Sequence, residues 1–209
     1  MALLNKRLYT KKEAFRDAVI FIVICEGEKR EPGYFKFFDS LTSQLKVLVF
    51  PSEDGKSAPN HMINNANETL KKLNSDEGAY ELWFVLDVDR WKKHIHSLQK
   101  ECNNRKYWNI AISNPCFEVW LYYHFKNNLP DVSNLSNCSV WKQIVDKCVN
   151  GGFDNTNHPT LINSAIKNSK NNYNEAGYIP EVGSTQLHKL GEKIFKLIKK
   201  VLSKYDMNM

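Results

Sequence analysis

Residues Ala18 to Cys25 form an unbroken apolar run, AVIFIVIC, closed by a glutamate. A strand with one wet face alternates apolar and polar side chains, whereas a continuous run needs both faces covered. Helices must therefore flank whatever sheet this run joins, as they do where crossover connections link parallel strands. The residues that follow supply them. Pro32 suits the first turn of a helix, and Tyr34, Phe38, Leu41 and Leu45 follow at helical spacing. A second strand is expected over Lys46–Phe50, ended by Pro51 and a polar stretch through Ser57. The next helix carries Ile63, Ala66, Leu70 and Leu73 on one face, and residues 74–78 break it. A third strand is expected over Tyr80–Leu86, with Trp91, Ile95, Leu98 and Cys102 striping its helix. The fourth, Tyr107–Ile112, stops at Asn114-Pro115, where a helix bearing Phe117, Leu121 and Phe125 opens.

This alternation predicts an α/β fold: a Rossmann-like, doubly wound parallel sheet of about four strands with right-handed crossovers. We divide the chain into an N-terminal extension (1–17), the α/β core (18–125) and a C-terminal helical region packed on that core (126–209). The last region begins with a polar linker, 126–137, and continues with helices expected over Ser139–Val149, Thr160 to about Asn172, and Thr185–Lys204. Residues 177–184 read as a loop. In the final helix Leu187, Leu190, Ile194, Leu197 and Val201 form the apolar stripe, and its lysines face elsewhere.

Composition narrows the function class. Lys plus Arg total 29 against 23 Asp plus Glu, a net charge of +6 over 209 residues. That permits a polyanionic partner without requiring one. The longest apolar run falls far short of the roughly 18 residues that cross a bilayer, and the N-terminus lacks a signal-peptide core. A cytoplasmic protein with no membrane contact is expected. The five cysteines are odd in number and show no paired metal spacing. Cys116 reads as a small buried hydrophobe rather than a nucleophile, and no zinc site is expected.

Charged residues gather at strand ends. The first strand runs into Glu26-Gly27-Glu28, the third into Asp87-Val88-Asp89-Arg90. Ligands of open α/β sheets bind beyond the carboxyl ends of the strands, at the switch point. In the order 2-1-3-4 the first and third strands are neighbours there, so Glu26, Asp87 and Asp89 should meet in one crevice. Extended backbone would point Asp87 and Asp89 to the same side. Converging carboxylates repel unless a cation neutralises them, and their oxygens suit hard ions such as Mg²⁺. Gly27 fits a loop that needs a close approach.

At these residues the chain resembles a known family. A strand with Glu-Gly followed by a later strand with Asp-x-Asp is similar to the Toprim domain of topoisomerases, bacterial primases and OLD-type nucleases. The strings ICEGEKREPGYF (24–35), FVLDVDRW (84–91), SNPCFEVWLYYHF (113–125) and GSTQLHKL (183–190) resemble the RloB-like family, which is Toprim-related and associated with restriction and phage-defence loci. The resemblance implies a Toprim-like core and a Mg²⁺- or Mn²⁺-dependent nuclease acting on DNA or RNA. Glu26 would be general acid/base or metal ligand, and Asp87 and Asp89 the metal-binding pair. Glu31 matches the second acid of OLD-type enzymes, one residue later than usual and with Arg30 where a Thr is expected. Glu118 matches a further acid after the next strand. A downstream lysine near the phosphate would be Lys167 or Lys170.

The remaining candidates have two readings each. Arg90 would bind phosphate or balance local charge. Asn114 would cap a helix or contact substrate. Thr185 and His188, at the start of the last helix, would form an anion site or an ordinary cap. His124 reads as a core or interface histidine. No Walker A string is present, so ATP use would require an ATPase partner encoded nearby. The alternative to a nuclease is a non-catalytic regulatory or interaction subunit of a defence complex that keeps a metal site. A receiver-type phosphoacceptor fits less well, since it needs a lysine after a fifth strand.

Overall fold

A computed structural model describes residues 18–52, 58–73, 78–88 and 94–206. The N-terminal extension, Asp89, Arg90 and Trp91 lie outside the described residues. Strands β1 (Val19–Cys25), β2 (Leu45–Phe50), β3 (Glu81–Asp87) and β4 (Trp108–Ser113) form one parallel sheet in the order β2-β1-β3-β4. Its register sets Ile22 against Leu48 on one side and Leu82 on the other.

The unbroken run behaves as its composition demands. Phe21, Val23 and Cys25 point to one face of the sheet, and Ile22 and Ile24 to the other. All are buried, the first set with Tyr34, Phe35, Phe38 and Trp120, the second with Met62, Ala66, Leu98 and Ile112. Helices α2 (Pro59–Leu73) and α3 (Ile95–Asn103) cover the second face. The first is covered by α1 (Arg30–Lys36), α4 (Glu118–Tyr122), α5 (Cys138–Cys148), α6 (Ile162–Asn171) and α7 (Leu187–Asp206). The result is an α/β/α Rossmann-like sandwich with a long C-terminal helix. No helix among the described residues is long and apolar enough to cross a membrane.

Four local expectations need correction. The first helix ends at Lys36 and gives way to a 3₁₀ turn over Phe37–Ser40, so Leu45 opens β2 instead of closing a helical stripe. The turn is pinned by Asp39, whose carboxylate accepts the Val47 N–H at 2.9 Å and the Lys46 ammonium at 2.6 Å. Residues 177–184 are not all loop: β6 (Ile179–Pro180) lies within them and pairs antiparallel with β5 (Glu175–Ala176). The last helix starts at Leu187, because Thr185 lies outside it and its Oγ1 accepts the Leu187 N–H at 3.2 Å.

The buried stripe of α7 also differs. It runs through Leu187, Leu190, Ile194, Ile198 and Leu202, while Leu197 and Val201 are only half-buried. Gly191 explains the shift. A Cβ there would sit 3.1 Å from the Trp120 ring and 3.2 Å from Ile166. The bare backbone lets α7 lie close on α4 and α6, which turns this edge inward. Ile198→Ala is therefore expected to cost roughly 2–4 kcal/mol in urea unfolding, and Leu197→Ala clearly less.

Candidate functional site

The carboxyl ends of β1 and β3 create the site. Glu26, the first residue past β1, donates its N–H to Val85 O at 2.9 Å, so the ladder continues one step. Its carbonyl accepts the Ser52 hydroxyl at 2.5 Å, which ties it to the chain leaving β2. Its side chain turns across to β3, where Oε2 accepts the Asp87 N–H at 2.9 Å. Glu26 is thus buried with its carboxylate fixed at the base of Asp87, the last residue of β3.

Two more acids join from helix starts. Glu31 lies in the first turn of α1, and Glu118 is the first residue of α4; both are buried. The Glu31 carboxylate fills the space a side chain at position 27 would take, and a Cβ on Gly27 would overlap it outright. The glycine serves close approach, as its position suggested. Burial pushes the Glu31 carboxyl up to about 7, reinforced by the negative charges of Glu118 and Glu26 and opposed by backbone N–H groups. The pocket therefore favours the protonated form of Glu31 up to about pH 7.

Thiols and a lysine complete the surroundings. Cys116 is fully buried, as expected of a small hydrophobe, yet it also borders the acids. The neighbouring Cys138 thiol, burial, and the charges of Glu118 and Asp87 all raise its pKa. Cys138 opens α5 and donates its S–H to Glu118 Oε2 at 3.6 Å. Lys142, one turn further along α5, is exposed and has its ammonium favoured by Cys138, then by Glu118, Cys116 and Asp87. Cys138 and Lys142 escaped the sequence reading because no spacing signal links them to the strand ends. Cys116 stands two residues before Glu118, and that Cys-x-Glu string was the available cue.

The other named residues are placed as follows. Val88 is already helical and buried, so the alternation argument stops at Asp87, and Asp89 and Arg90 fall outside the described residues. Asn114 does not cap α4, which begins at Glu118 without a side-chain cap. It stitches the end of β4 to the far loop instead. Its N–H donates to Ser184 O at 3.0 Å, its carbonyl accepts from Gly183 at 2.8 Å, and its Nδ2 donates to Pro180 O at 2.7 Å. Thr185 is buried, shares a 2.8 Å hydroxyl contact with Ser113 and caps α7. The His188 Nδ1 lies 2.9 Å from Thr185 O, its ring packs on Tyr173, and burial holds its imidazole below the usual range. Lys167 is exposed on α6, and Lys170 pairs with Glu192 at 2.6 Å. His124 is a core residue between Tyr34 and Trp120, pushed down to about 3 by burial.

Among the described residues, Glu26, Glu31, Asp87 and Glu118 do not bring three ligand oxygens within 4.8 Å of one another. Among the described residues, only donors from Cys116, Glu118 and Cys138 fall within 4.8 Å of one another as a potential metal group. Oxygen donors held farther apart suit an ion that keeps several waters, as Mg²⁺ does.

A family model described as RloB-like protein matches residues 21–194, which takes in every residue of this site. No curated protein and no solved structure matches the chain.

The Glu31 shift has a signed consequence. The folded carboxyl binds its proton more tightly than the unfolded one, so folded protein carries more protons between about pH 4.5 and about pH 7. The Glu31 contribution to stability therefore falls as pH rises through that window, while the lowered imidazoles of His124 and His188 contribute in the opposite sense. In a chelator, Glu31→Gln is expected to gain thermal stability relative to wild type as pH rises from about 4.5 to about 7. A difference between the two proteins that stays constant through the window would contradict the assignment.

Proposed function

The chain belongs to the RloB-like family, and on that premise we propose that it is a metal-dependent, Toprim-type nuclease that hydrolyses phosphodiester bonds in DNA or RNA. The observation carrying this reading is the gathering of Glu26, Glu31, Asp87 and Glu118 at one end of a parallel sheet, with Glu31 driven to about 7 by burial beside two other acids. An all-oxygen donor set with surplus negative charge fits a hard divalent cation, Mg²⁺ or Mn²⁺. Glu26, Asp87 and Glu118 would hold it, with Glu31, and Asp89 completes the set the family resemblance implies. A cation bound there supplies Lewis-acid polarisation of the phosphodiester and lowers the pKa of water.

The chain's own residues do the positioning. The Asp87 N–H fixes the Glu26 carboxylate, so no rearrangement is needed to receive a ligand. Glu31, which holds its proton up to about 7 with the pocket empty, would release it as a cation binds. Lys142, exposed beside Glu118 and Asp87, offers a cation to a phosphate oxygen. The lysines on the outer side of α7 would follow the nucleic-acid backbone, with binding that weakens as salt rises. The resemblance implies an ATPase partner in a defence system, and any ATP use would come from that partner, since these residues contain no GxxxxGK[ST] string.

Labelled DNA and RNA incubated with the full chain and Mg²⁺ or Mn²⁺ test this reading. Cleavage is expected with wild type and to fall at least about 100-fold in Glu26→Gln and Asp87→Asn. Equal cleavage by Asp87→Asn would overturn the mechanism. Metal binding without cleavage, alone or beside the neighbouring ATPase, would favour the regulatory subunit.

A further inference from the structure

Next to the oxygen-lined pocket lies a chemically different set of donors. Cys116 Sγ, Cys138 Sγ and a Glu118 carboxylate oxygen all lie within 4.8 Å of one another. We propose that these three side chains form a binding site for a thiophilic divalent cation of the Zn²⁺ class, which borders the carboxylate pocket and shares Glu118 with it.

The geometry is close to what such an ion requires. Tetrahedral zinc with two sulfurs and an oxygen sets its donors roughly 3.5–4 Å apart. The Cys138–Glu118 pair already stands at 3.6 Å, so a small contraction of Cys116 completes the triangle. A proton now joins Cys138 to Glu118, and a cation would replace it while both thiols lose their protons to solvent. Softness selects the ion: two thiolates favour zinc over magnesium or manganese.

The backbone holds the donors in place. Cys116 and Glu118 sit on the short stretch that opens α4, two residues apart. Cys138 is fixed by the start of α5, where Asn137 Oδ1 accepts the Ser139 N–H at 2.9 Å. The two helices are locked by Trp141, fully buried against Tyr122 with ring centroids 5.5 Å apart. Charge is also compensated. Two thiolates and a carboxylate exceed a divalent cation by one negative charge, and Lys142 stands beside them to balance it. Cys138 is only half-buried, which leaves a route for the ion and an open fourth position for water.

Co²⁺ serves as the probe, because cobalt–thiolate bonds absorb in the near ultraviolet. Under reducing conditions, the full chain titrated with Co²⁺ is expected to develop that absorption with one equivalent, and Zn²⁺ should bleach it. Cys138→Ser should lose at least about half of the absorption, since one of two thiolates is gone, and bind at least about 10-fold more weakly. Asp87→Asn, which removes none of the three donors, should retain the signal. That retention separates this site from the nuclease reading, which can fail without affecting it. The proposal is overturned if wild type shows no thiolate absorption, or if Cys138→Ser, folded by circular dichroism, shows the same absorption as wild type.

Discussion

Burial of β1 on both faces is the constraint on which the rest depends. With Phe21 to Cys25 all at 2 % exposure or less, the strand can exist only between two helical layers. That forces parallel neighbours and crossover helices, and parallel strands bring their carboxyl ends to a common edge. Once β2 and β3 flank β1, the chain leaving β1 and the chain leaving β3 must diverge to opposite faces. The Glu26–Asp87 hydrogen bond spans this fork. The crevice is thus a by-product of topology, and side chains at four strand or helix boundaries furnish it.

The pocket runs against stability. Carboxylates that converge under partial burial repel, and desolvation penalises each further. The fold tolerates them by spending hydrogen bonds on some and protons on others. Glu26 receives a backbone N–H, Glu118 receives a thiol, and Glu31 holds a proton up to about 7. Gly27 removes a side chain so that Glu31 can approach at all. Such arrangements persist where a ligand relieves the strain, which is the physical core of the proposed metal dependence.

Much of this was legible because it depends on local pattern. Continuous apolar runs marked all four strands of the main sheet to within a residue or two, and the order β2-β1-β3-β4 is the common one that the switch-point argument took as its premise. Glu26 and Asp87 could be paired because their strands are neighbours in that order. What escaped depends on tertiary packing. Leu45 fits a helical stripe by spacing, and only the Asp39 bonds to β2 end that helix early. The α7 stripe shifts because Gly191 meets Trp120, a contact invisible from period alone. Cys138 and Lys142 reach the site because α5 folds back over α4, after a linker with no pattern of its own. Asn114 looked like a cap and instead ties β4 to the 180–184 loop.

Calorimetric titration of Mn²⁺ into the full chain and into Asp87→Asn most directly tests whether these acids constitute a metal pocket. Saturable binding is expected for wild type, with affinity at least about 10-fold weaker in the variant. Indistinguishable isotherms, or no saturable binding to wild type, would show that the acids at the ends of β1 and β3 do not act as one site.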